Sequence, residues 1–558
     1  MSQRSSRGPG AKIVPATPKT TPAPRWLRIG TLALAAVAML AWFSPASGDN
    51  DAWWHLKTGQ YIVEHHRLPV PDPFSYTTYM GKPAYPGEEI TRYFNLTHEW
   101  LAQAILYLVY SAAGFPGLVL FRALLLAGVC AIAGFLALLR SGGFYRAIGA
   151  SIIAGSVAIS YTSDRPGLFT WLLLAVTLLI LEQRRRLWLL PPLFLVWANC
   201  HGGYFLGWAA MGAYCAEAWL SRRRGRGTGG ERRLWLACAA SVAICGLNPN
   251  GFSAIPVLLN YHRSAIQSRI WEWKSPTFWP PQPFNVVLAA TVAMMIWARQ
   301  RVRPADGLLF GLFTLATVTA ARNLMLTGVL GPVLLAGYLP WKRGTANAAR
   351  YAAPLVLLSL AAVPVVRGEA FQLRAIESNR PAGAADFLLA HHVTARMFNS
   401  YNNGGYLIWR LAPHQQVFID SRALNESVYQ DFRHIANYEP QAAELLDRYG
   451  IEAIVMEGFE DITGIIWPLP LALAASPRDD WKLAYSDSTA FIFMRHPPEG
   501  VAPLPNTSVV PGIEAQCRYH LEQNPSDPLC ATALMDLFLR QGDRQRAEYW
   551  SATALAHR

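Results

Sequence analysis

Two carboxylates near the start of the chain carry the clearest chemical signal. Asp49 and Asp51 are separated by one residue, follow the apolar run 29–43 and precede Trp53 and Trp54. Tryptophan prefers the headgroup level of a bilayer, whereas carboxylates there serve as general bases or metal ligands. In an extended segment this spacing places both acids on one side. We predict Asp51 as the catalytic base, Asp49 as the alternative base, and both as candidate ligands of a divalent metal ion. The alternatives are helix capping by the acids or a solvated loop with an aromatic belt.

Further polar residues lie in turns between apolar runs, where they are suited to hold a phosphate. The Arg165 guanidinium can bind phosphate in a bidentate manner. His201 precedes two glycines, which would let a ligand approach the backbone closely. Each candidate also has a structural alternative. Asp164 and Arg165 could form an ion pair between helices, and His201 could be a hydrogen-bonded histidine at a helix break. His55 and Lys57 could be surface residues, and Glu99 could be an acid favoured by a helix N-terminus. The candidates for phosphate or donor binding are His55, Lys57, Asp164, Arg165, Asn199, His201 and Arg322, with Glu99 as a further candidate.

The composition indicates a membrane protein. Of the 558 residues, 52% are hydrophobic and 15% are charged, whereas soluble domains carry about 25% charged residues. The net charge of +13 lies largely in short clusters between apolar runs. This arrangement is typical of cytosolic loops and does not form the continuous basic face of a nucleic-acid-binding protein. We therefore expect no nucleic-acid partner.

The basic clusters predict the orientation of the chain. Arginine- and lysine-rich clusters occur at residues 184–186, 222–233, 299–303 and 342–343. If all four are cytosolic, the chain crosses the membrane twice between neighbouring clusters. The turns that carry Asp164, His201 and Arg322 then lie on the outer face, together with the first outer loop and the loop at 252–283. We expect about eleven spans, with a retained first helix and one run between residues 100 and 162 that does not cross.

The remaining chain divides into further units. We predict a disordered cytosolic tail at 1–25, in which apolar periodicity is lacking. A multi-span membrane domain at 26–368 includes the first outer loop at 48–98. An extracytoplasmic α/β domain follows at 369–497, because short β-branched or aromatic segments alternate with helical ones. After a linker at 498–511, residues 512–558 resemble one tetratricopeptide-like helical hairpin, in which Cys517 and Cys530 can pair in an oxidising compartment.

The predicted strands and helices of the α/β domain can be stated individually. The predicted strands are Ala395–Tyr401, Gln416–Ser421, Glu452–Glu457, Trp481–Tyr485 and Thr489–Arg495, and the predicted helices are Pro381–His391 and Pro440–Tyr449.

Several motifs resemble the C-type (GT-C) superfamily of integral-membrane glycosyltransferases. These are Asp-x-Asp-x-Trp-Trp-His-Leu-x-Thr-Gly at 49–59, Asp-Pro-Phe-Ser-Tyr-Thr at 72–77, His-Glu-Trp-Leu at 98–101, Arg-Pro at 165–166 and Trp-x-Asn-x-His-Gly-Gly at 197–203. The resemblance covers residues 26–366 and is strongest to the bacterial branch that resembles RgtA/B/C/D-like and dolichyl-phosphate-mannose-type enzymes. A second Asp-x-Asp and the Trp-Trp-Asp signature of oligosaccharyltransferases are both missing from the sequence, which leaves a metal requirement open.

The resemblance implies inverting transfer of a sugar from a polyprenyl-phosphate donor to a glycan, lipid or protein acceptor outside the membrane. An acid in the first outer loop would be the base. Besides the membrane lipid, donor and acceptor are the expected partners, and the expected location is the bacterial inner membrane with a periplasmic C-terminal domain. The alternatives are a non-catalytic polyprenyl-lipid or glycan transporter, a polymerase partner, and a membrane-anchored scaffold. A transporter predicts charges buried in mid-helix along a pathway, whereas the charges here cluster towards one face.

Overall fold

The computed structural model describes residues 24–227, 229–340, 343–460, 462–476 and 480–557. Almost all of the predicted N-terminal tail and Lys342 of the last basic cluster lie outside these ranges.

The N-terminal two thirds of the chain are helical. Proline occupies the first turn of α7, α12 and α13, where its fixed φ suits a helix and its missing N–H costs no hydrogen bond. The helices are α1 Arg25–Phe43, α2 Asn50–His65, α3 Glu88–Thr97, α4 Trp100–Ser141, α5 Phe144–Ala158, α6 Gly167–Gln183, α7 Leu190–Cys200, α8 Phe205–Arg223, α9 Glu231–Ile244, α10 Ala254–Asn260, α11 Ala265–Arg269, α12 Pro283–Trp297, α13 Pro304–Thr319, α14 Leu324–Tyr338 and α15 Arg343–Val366.

Four helical stretches of the described chain are long and apolar enough to cross a membrane. They are Arg25–Phe43, Glu88–Ser141, Phe144–Tyr161 and Ala348–Val366. Shorter apolar helices of 10–17 residues add to them, namely Gly167–Gln183, Leu187–Cys200, Pro283–Trp297 and Pro304–Thr319. The protein is therefore a membrane protein by helix length and composition, and the number of eleven spans stays a prediction.

The core of the helical part forms around α14, which is buried along nearly its whole length. A helix that is apolar on all sides belongs in the interior of a bundle, and α14 packs against α4, α5, α12 and α13. The first helix, α1, packs on α5 and α15, and Trp42 donates its indole N–H to the Leu360 carbonyl at 3.0 Å.

A break divides α4 into two segments. Gly114 has φ 60° and ψ −155°, a backbone conformation open mainly to glycine, and Pro116 follows it. The segment before the break packs on α2, and Tyr110 makes an edge contact with Trp409 of the C-terminal domain. Because this segment packs on the outer units, the contact favours residues 100–113 as the run that does not cross.

The C-terminal domain has the α/β character that its alternating segments predict. Four of the five predicted strand segments form strands, and both predicted helices form. The predicted strand Gln416–Ser421 does not form. Its backbone is irregular apart from a single bridge between Val417 and Ser75. The elements are α16 Ala382–Ala390, β1 Met397–Asn399, α17 Gly404–Leu411, α18 Glu426–Ala436, α19 Ala442–Arg448, β2 Ala453–Met456, α20 Pro468–Ala475, β3 Lys482–Ser486 and β4 Phe491–Met494.

The four strands form one sheet in the order β1-β2-β4-β3. The pair β1/β2 is parallel, while β2/β4 and β3/β4 are antiparallel. Every residue of β1, β2 and β4 is buried. These strands are therefore covered on both faces of the sheet, which explains why their side chains are almost all apolar.

The tail contains three helices, α21 Val509–Gln523, α22 Leu529–Gln541 and α23 Arg544–Ala556, so its first helix starts inside the predicted linker. Cys517 and Cys530 form a disulfide between α21 and α22. Ile513, Leu534 and Trp550 share one apolar cluster with the sheet residues of the α/β domain. The tail thus packs on that domain, as a lone helical hairpin requires, and its likeness to a tetratricopeptide unit stays a prediction.

A buried ion triad joins the first outer loop to the C-terminal domain. Arg422 lies 2.9 Å from Asp72 and 2.7 Å from Asp420, and the three side chains are at most 3% exposed. Ser75 donates its hydroxyl to Asp420 at 2.5 Å. Burial disfavours a lone carboxylate, yet the adjacent guanidinium lowers the pKa of Asp420, so the triad stays ionised.

We expect Arg422→Ala to destabilise the outer part of the protein by about 3–5 kcal/mol, because it leaves two buried carboxylates without a cation. The thermal unfolding midpoint of the purified protein measures this loss. The control is Arg448→Ala, which removes an ion pair with Asp431 whose arginine is 56% exposed; its effect should stay below about 1 kcal/mol. Equal losses in both variants would contradict the structural role of the triad.

Candidate functional site

Arg165 forms the centre of an acidic cluster. Its Nε lies 2.5 Å from Asp49 Oδ2, and its Nη1 lies 3.1 Å from Asp51 Oδ2 and 2.9 Å from Glu272 Oε1. The turn before α6 thus meets the start of α2 and the outer loop between α9 and α12. Three segments far apart in sequence converge here, and the sequence predicts all three on the same face of the membrane.

The two aspartates differ in their local structure. Asp49 is the N-cap of α2 and accepts the Asp51 backbone N–H at 2.9 Å, so the capping alternative describes Asp49. Asp51 lies in the first turn of α2, and its Oδ1 accepts the Ser421 hydroxyl at 2.5 Å. The Asp49 side chain is 4% exposed and that of Asp51 is 18% exposed. Asp51 is thus the more accessible of the two aspartates.

Sequence reasoning missed Glu272. It lies in a short 3₁₀ turn, Trp271–Trp273, and its side chain is 37% exposed. The sequence contains a signal for it, because Glu272 is the only acidic residue between positions 252 and 283 in a loop predicted to face outward.

A second cluster surrounds Glu99 with three imidazoles. Its carboxylate lies 3.3 Å from His98 Nε2, 3.6 Å from His201 Nε2 and 3.7 Å from His55 Nδ1. The helix α2 contributes His55, the start of α4 contributes Glu99, and the end of α7 contributes His201. Sequence reasoning named His98 only as part of a motif.

The hydrogen bonds of the imidazoles determine where the protons lie. His98 Nδ1 is 2.8 Å from the Phe94 carbonyl, which can only accept, so Nδ1 carries a proton. His98 Nε2 faces Glu99 Oε1 at 3.3 Å.

The other two histidines are neutral. His201 Nδ1 accepts the Gly203 N–H at 3.0 Å, so its Nε2 carries the hydrogen that points towards Glu99. Burial lowers the pKa of His55 to about 4 and that of His201 to about 3, against the attraction of Glu99. These imidazoles thus offer N–H donors without charge at neutral pH.

An aromatic wall lies beside both clusters. The Arg322 guanidinium lies 4.3 Å from the centroid of the Trp273 ring, a cation–π contact, and Trp273 meets Tyr261 edge-on at 5.1 Å. Arg322 also lowers the pKa of His201 electrostatically, which places its charge near the histidine cluster.

Three predicted residues have other contacts. Asp164 is buried in an ion pair with Arg122 at 2.8 Å, so it holds two helices together and does not line the acidic cluster. Asn199 accepts the Trp100 indole N–H at 2.8 Å and donates to two backbone carbonyls, which favours a positioning role. Lys57 lies on α2, six residues or about one and two-thirds turns after Asp51. The acid that acts on it electrostatically is Glu64.

The acidic cluster does not match a metal site as it stands. Asp49, Asp51 and Glu272 all contact the guanidinium of Arg165, so a cation already lies between the carboxylates. Within the described ranges, no group of three or more histidine, cysteine, aspartate or glutamate side chains is arranged to hold a metal ion.

The fold is similar to that of a solved archaeal membrane oligosaccharyltransferase. The structure is similar to the archaeal oligosaccharyltransferase AglB from Archaeoglobus fulgidus, solved with an inhibitory peptide and a dolichol-phosphate, with a TM-score of 0.53 at 11% identity over 96% of this chain and 85% of that one. The same oligosaccharyltransferase with zinc and sulfate gives 0.52 at 11% identity over 93% and 83%. Its apo form gives 0.51 at 12% identity over 87% and 77%.

No protein-family model and no curated protein sequence matches the chain. The likeness at 11–12% identity shows a shared fold with this oligosaccharyltransferase, which is the fold that the sequence motifs predict. The bacterial branch within it stays a prediction.

We expect stability to fall as the pH is lowered from about 6.5 towards 4. The unfolded chain binds protons at His55 and His201 in this range and the folded protein does not, so the slope of unfolding free energy against pH is positive. For His55 alone, full loss below pH 4 is on the order of 3 kcal/mol. Thermal unfolding at pH 5 to 8 measures the slope.

The variant His55→Asn should flatten this slope, whereas His65→Asn, at the exposed end of the same helix, should leave it unchanged. A slope that is the same in wild type and His55→Asn would show that His55 is not kept neutral by the fold.

Proposed function

We propose that this protein transfers a sugar, a hexose or pentose, from a polyprenyl-phosphate-linked donor to an acceptor outside the membrane, with inversion at the sugar. The observation that carries the proposal is the position of Asp51. It is a reachable carboxylate held by Arg165 and Ser421, and it lies beside imidazole and guanidinium groups in a GT-C fold. An acid next to a set of donors for an anion is the arrangement that group transfer from a phosphate requires.

In the proposed step, Asp51 accepts the proton of an acceptor hydroxyl. The acceptor oxygen forms a bond to the anomeric carbon from the face opposite the phosphate. The bond between that carbon and the phosphate oxygen breaks, and polyprenyl phosphate leaves with the electron pair. Arg165 and Ser421 orient the two oxygens of Asp51, each of which keeps a lone pair for the proton.

The leaving phosphate needs donors on its other side. Arg322 offers a guanidinium and His201 an Nε2–H. These groups are fixed before the substrate arrives, so they stabilise the developing charge without rearrangement.

The outer face of a bacterial inner membrane is the proposed location. A disulfide between Cys517 and Cys530 persists in an oxidising compartment such as the periplasm. At the far end of the same helices from the acidic cluster, Arg140 and Arg303 pair with Glu182, where the basic clusters predict the cytosol.

The proposal is tested by sugar release from a panel of polyprenyl-phosphate sugars with the purified protein. We expect Asp51→Asn to lower turnover by about 10²–10⁴-fold, the usual contribution of a general base. Asp49→Asn should lose less, because asparagine still caps a helix. The control is Asp386→Asn, a 65% exposed acid of the C-terminal domain. If no donor turns over in wild type, or if Asp51→Asn stays active, the proposal fails.

A divalent metal ion at Asp49 and Asp51 is a separate proposal, and it requires Arg165 to move away from the carboxylates. Treatment with EDTA followed by addition of Mg²⁺ or Mn²⁺ tests it. Loss and recovery of turnover would support a metal, and the variant Arg165→Met should then change the metal affinity. Full turnover after chelation would leave the guanidinium as the cation of the acidic cluster.

A further inference from the structure

Four exposed arginines form a basic surface at the end of the bundle away from the acidic cluster. Arg222 and Arg223 lie in the last turn of α8, and Arg232 and Arg233 lie in the first turn of α9. We refer to these four residues as the arginine surface. The helix α8 starts beside the turn that carries His201 and has 19 residues. Its length of about 28 Å separates the arginine surface from the site proposed for sugar transfer.

Two tryptophans orient the arginines of α8. The Arg223 guanidinium lies 4.1 Å from the centroid of the Trp219 ring. The Arg222 guanidinium lies 5.8 Å from the centroid of the Trp235 ring, and this contact joins the end of α8 to the first turns of α9. A guanidinium that stacks on a ring keeps the N–H groups on its edge free, and these match the oxygens of a phosphate.

The chain supplies little negative charge to this surface. Between positions 183 and 271 the sequence contains two acidic residues, Glu217 and Glu231. Both are buried, and Glu217 pairs with Arg184 at 3.1 Å, so at most one carboxylate remains for four arginines. The two arginines of α9 also lie at a helix N-terminus, where the helix dipole disfavours a cation. An anion from outside the chain would offset both costs.

An apolar stripe continues from the arginine surface along the outside of α9. Leu236, Ala239 and Ala243 follow Arg232 at intervals of three or four residues, which places them on one face of the helix. All three are exposed. The stripe is about 16 Å long at 1.5 Å per residue. This length is about half of the hydrocarbon thickness of a bilayer, which is the share of one lipid leaflet.

These features together select one class of ligand. Guanidinium groups bind a phosphate, tryptophans prefer the level of lipid headgroups, and an exposed apolar stripe suits an acyl chain. A nucleic acid or an acidic protein would use the charge of the arginine surface and leave the apolar stripe uncovered. A phospholipid with a net negative charge uses both.

We propose that the arginine surface and the apolar stripe bind an anionic phospholipid of the cytosolic leaflet. The lipid phosphate contacts the arginines, and one acyl chain lies along Leu236, Ala239 and Ala243. Basic clusters next to membrane helices attract anionic lipids in this way. The proposal is independent of sugar transfer, because lipid binding is measured without a sugar donor and at the other end of α8.

Binding is tested by photolabelling of the full-length protein in phosphatidylcholine nanodiscs. The nanodiscs contain a trace of phosphatidylglycerol with a diazirine in its acyl chain, and peptide mass spectrometry locates the label after irradiation. We expect the label on α9 between Leu236 and Ala243. Added unlabelled phosphatidylglycerol should lower this label, whereas the same amount of phosphatidylethanolamine, which has no net charge, should not.

Two variants test the residues that hold the headgroup. Each arginine near an anionic lipid contributes about fivefold in affinity, so Arg222→Gln combined with Arg223→Gln should lower the α9 label at least about fivefold. Trp219→Ala removes the ring under Arg223 and should lower the label at least about twofold. This variant keeps every charge that orients the chain in the membrane, so the test stays valid if the arginine variant unfolds at a lower temperature.

Matched controls lie away from the arginine surface. Arg540 and Arg544 are exposed arginines of the tail, and Trp279 is a tryptophan of the 252–283 loop that is 81% exposed. Arg540→Gln combined with Arg544→Gln removes the same charge as the arginine variant, and Trp279→Ala removes the same ring. Both controls should leave the α9 label unchanged.

Three results would overturn the inference: α9 carries no label, phosphatidylethanolamine competes as well as phosphatidylglycerol, or the label is the same in wild type, in the arginine variant and in Trp219→Ala. Soluble glycerophosphate provides a further arm of the test. If it removes the label as well as phosphatidylglycerol does, the arginine surface recognises a phosphate group alone, and the assignment to a lipid is wrong.

Discussion

The contact of one guanidinium with three carboxylates organises this protein. Arg165 meets Asp49, Asp51 and Glu272, which come from the start of α2 and from an outer loop more than two hundred residues later. The ion pairs with Arg165, together with the partial solvent exposure of Arg165 and Glu272, offset the desolvation cost of these charges. These contacts therefore hold three segments together: the turn before α6, the first outer loop and the 252–283 loop. The neighbouring groups are fixed in position as a result.

The neighbouring histidine cluster follows a different electrostatic rule. His55 and His201 are buried deeply enough to remain uncharged. One side of the site thus consists of charged groups in ion pairs, and the other side contains neutral imidazole donors. An anionic leaving group is repelled by the first and accommodated by the second, which separates the two ends of the proposed reaction in space.

Much of the architecture could be predicted from local pattern. Apolar runs and basic clusters give a membrane protein with its polar turns on one side, and short β-branched segments give four strands of the α/β domain. The order of the motifs around Asp51 predicts a GT-C-like fold, and the structure shares the fold of AglB. The prediction of a strand at Gln416–Ser421 was wrong, because this segment makes contacts with the first outer loop and does not join the sheet.

The unpredicted parts depend on pairings between distant segments. Nothing near Glu272 in sequence indicates that it meets Arg165, and nothing near Arg422 indicates that it needs Asp72. The pair of Asp164 with Arg122 similarly shows that a polar turn can contribute one residue to packing and the next to the site. A local pattern identifies residues whose side chains could take part in chemistry. Tertiary contacts decide which of these residues come together in one site.

The bond between Ser421 and Asp51 spans 370 residues of chain. During synthesis, the first outer loop emerges long before the segment that completes it. The carboxylate therefore gains its second partner only after α1 to α17 have been synthesised. A chain that ends before Ser421 contains both aspartates but lacks this contact.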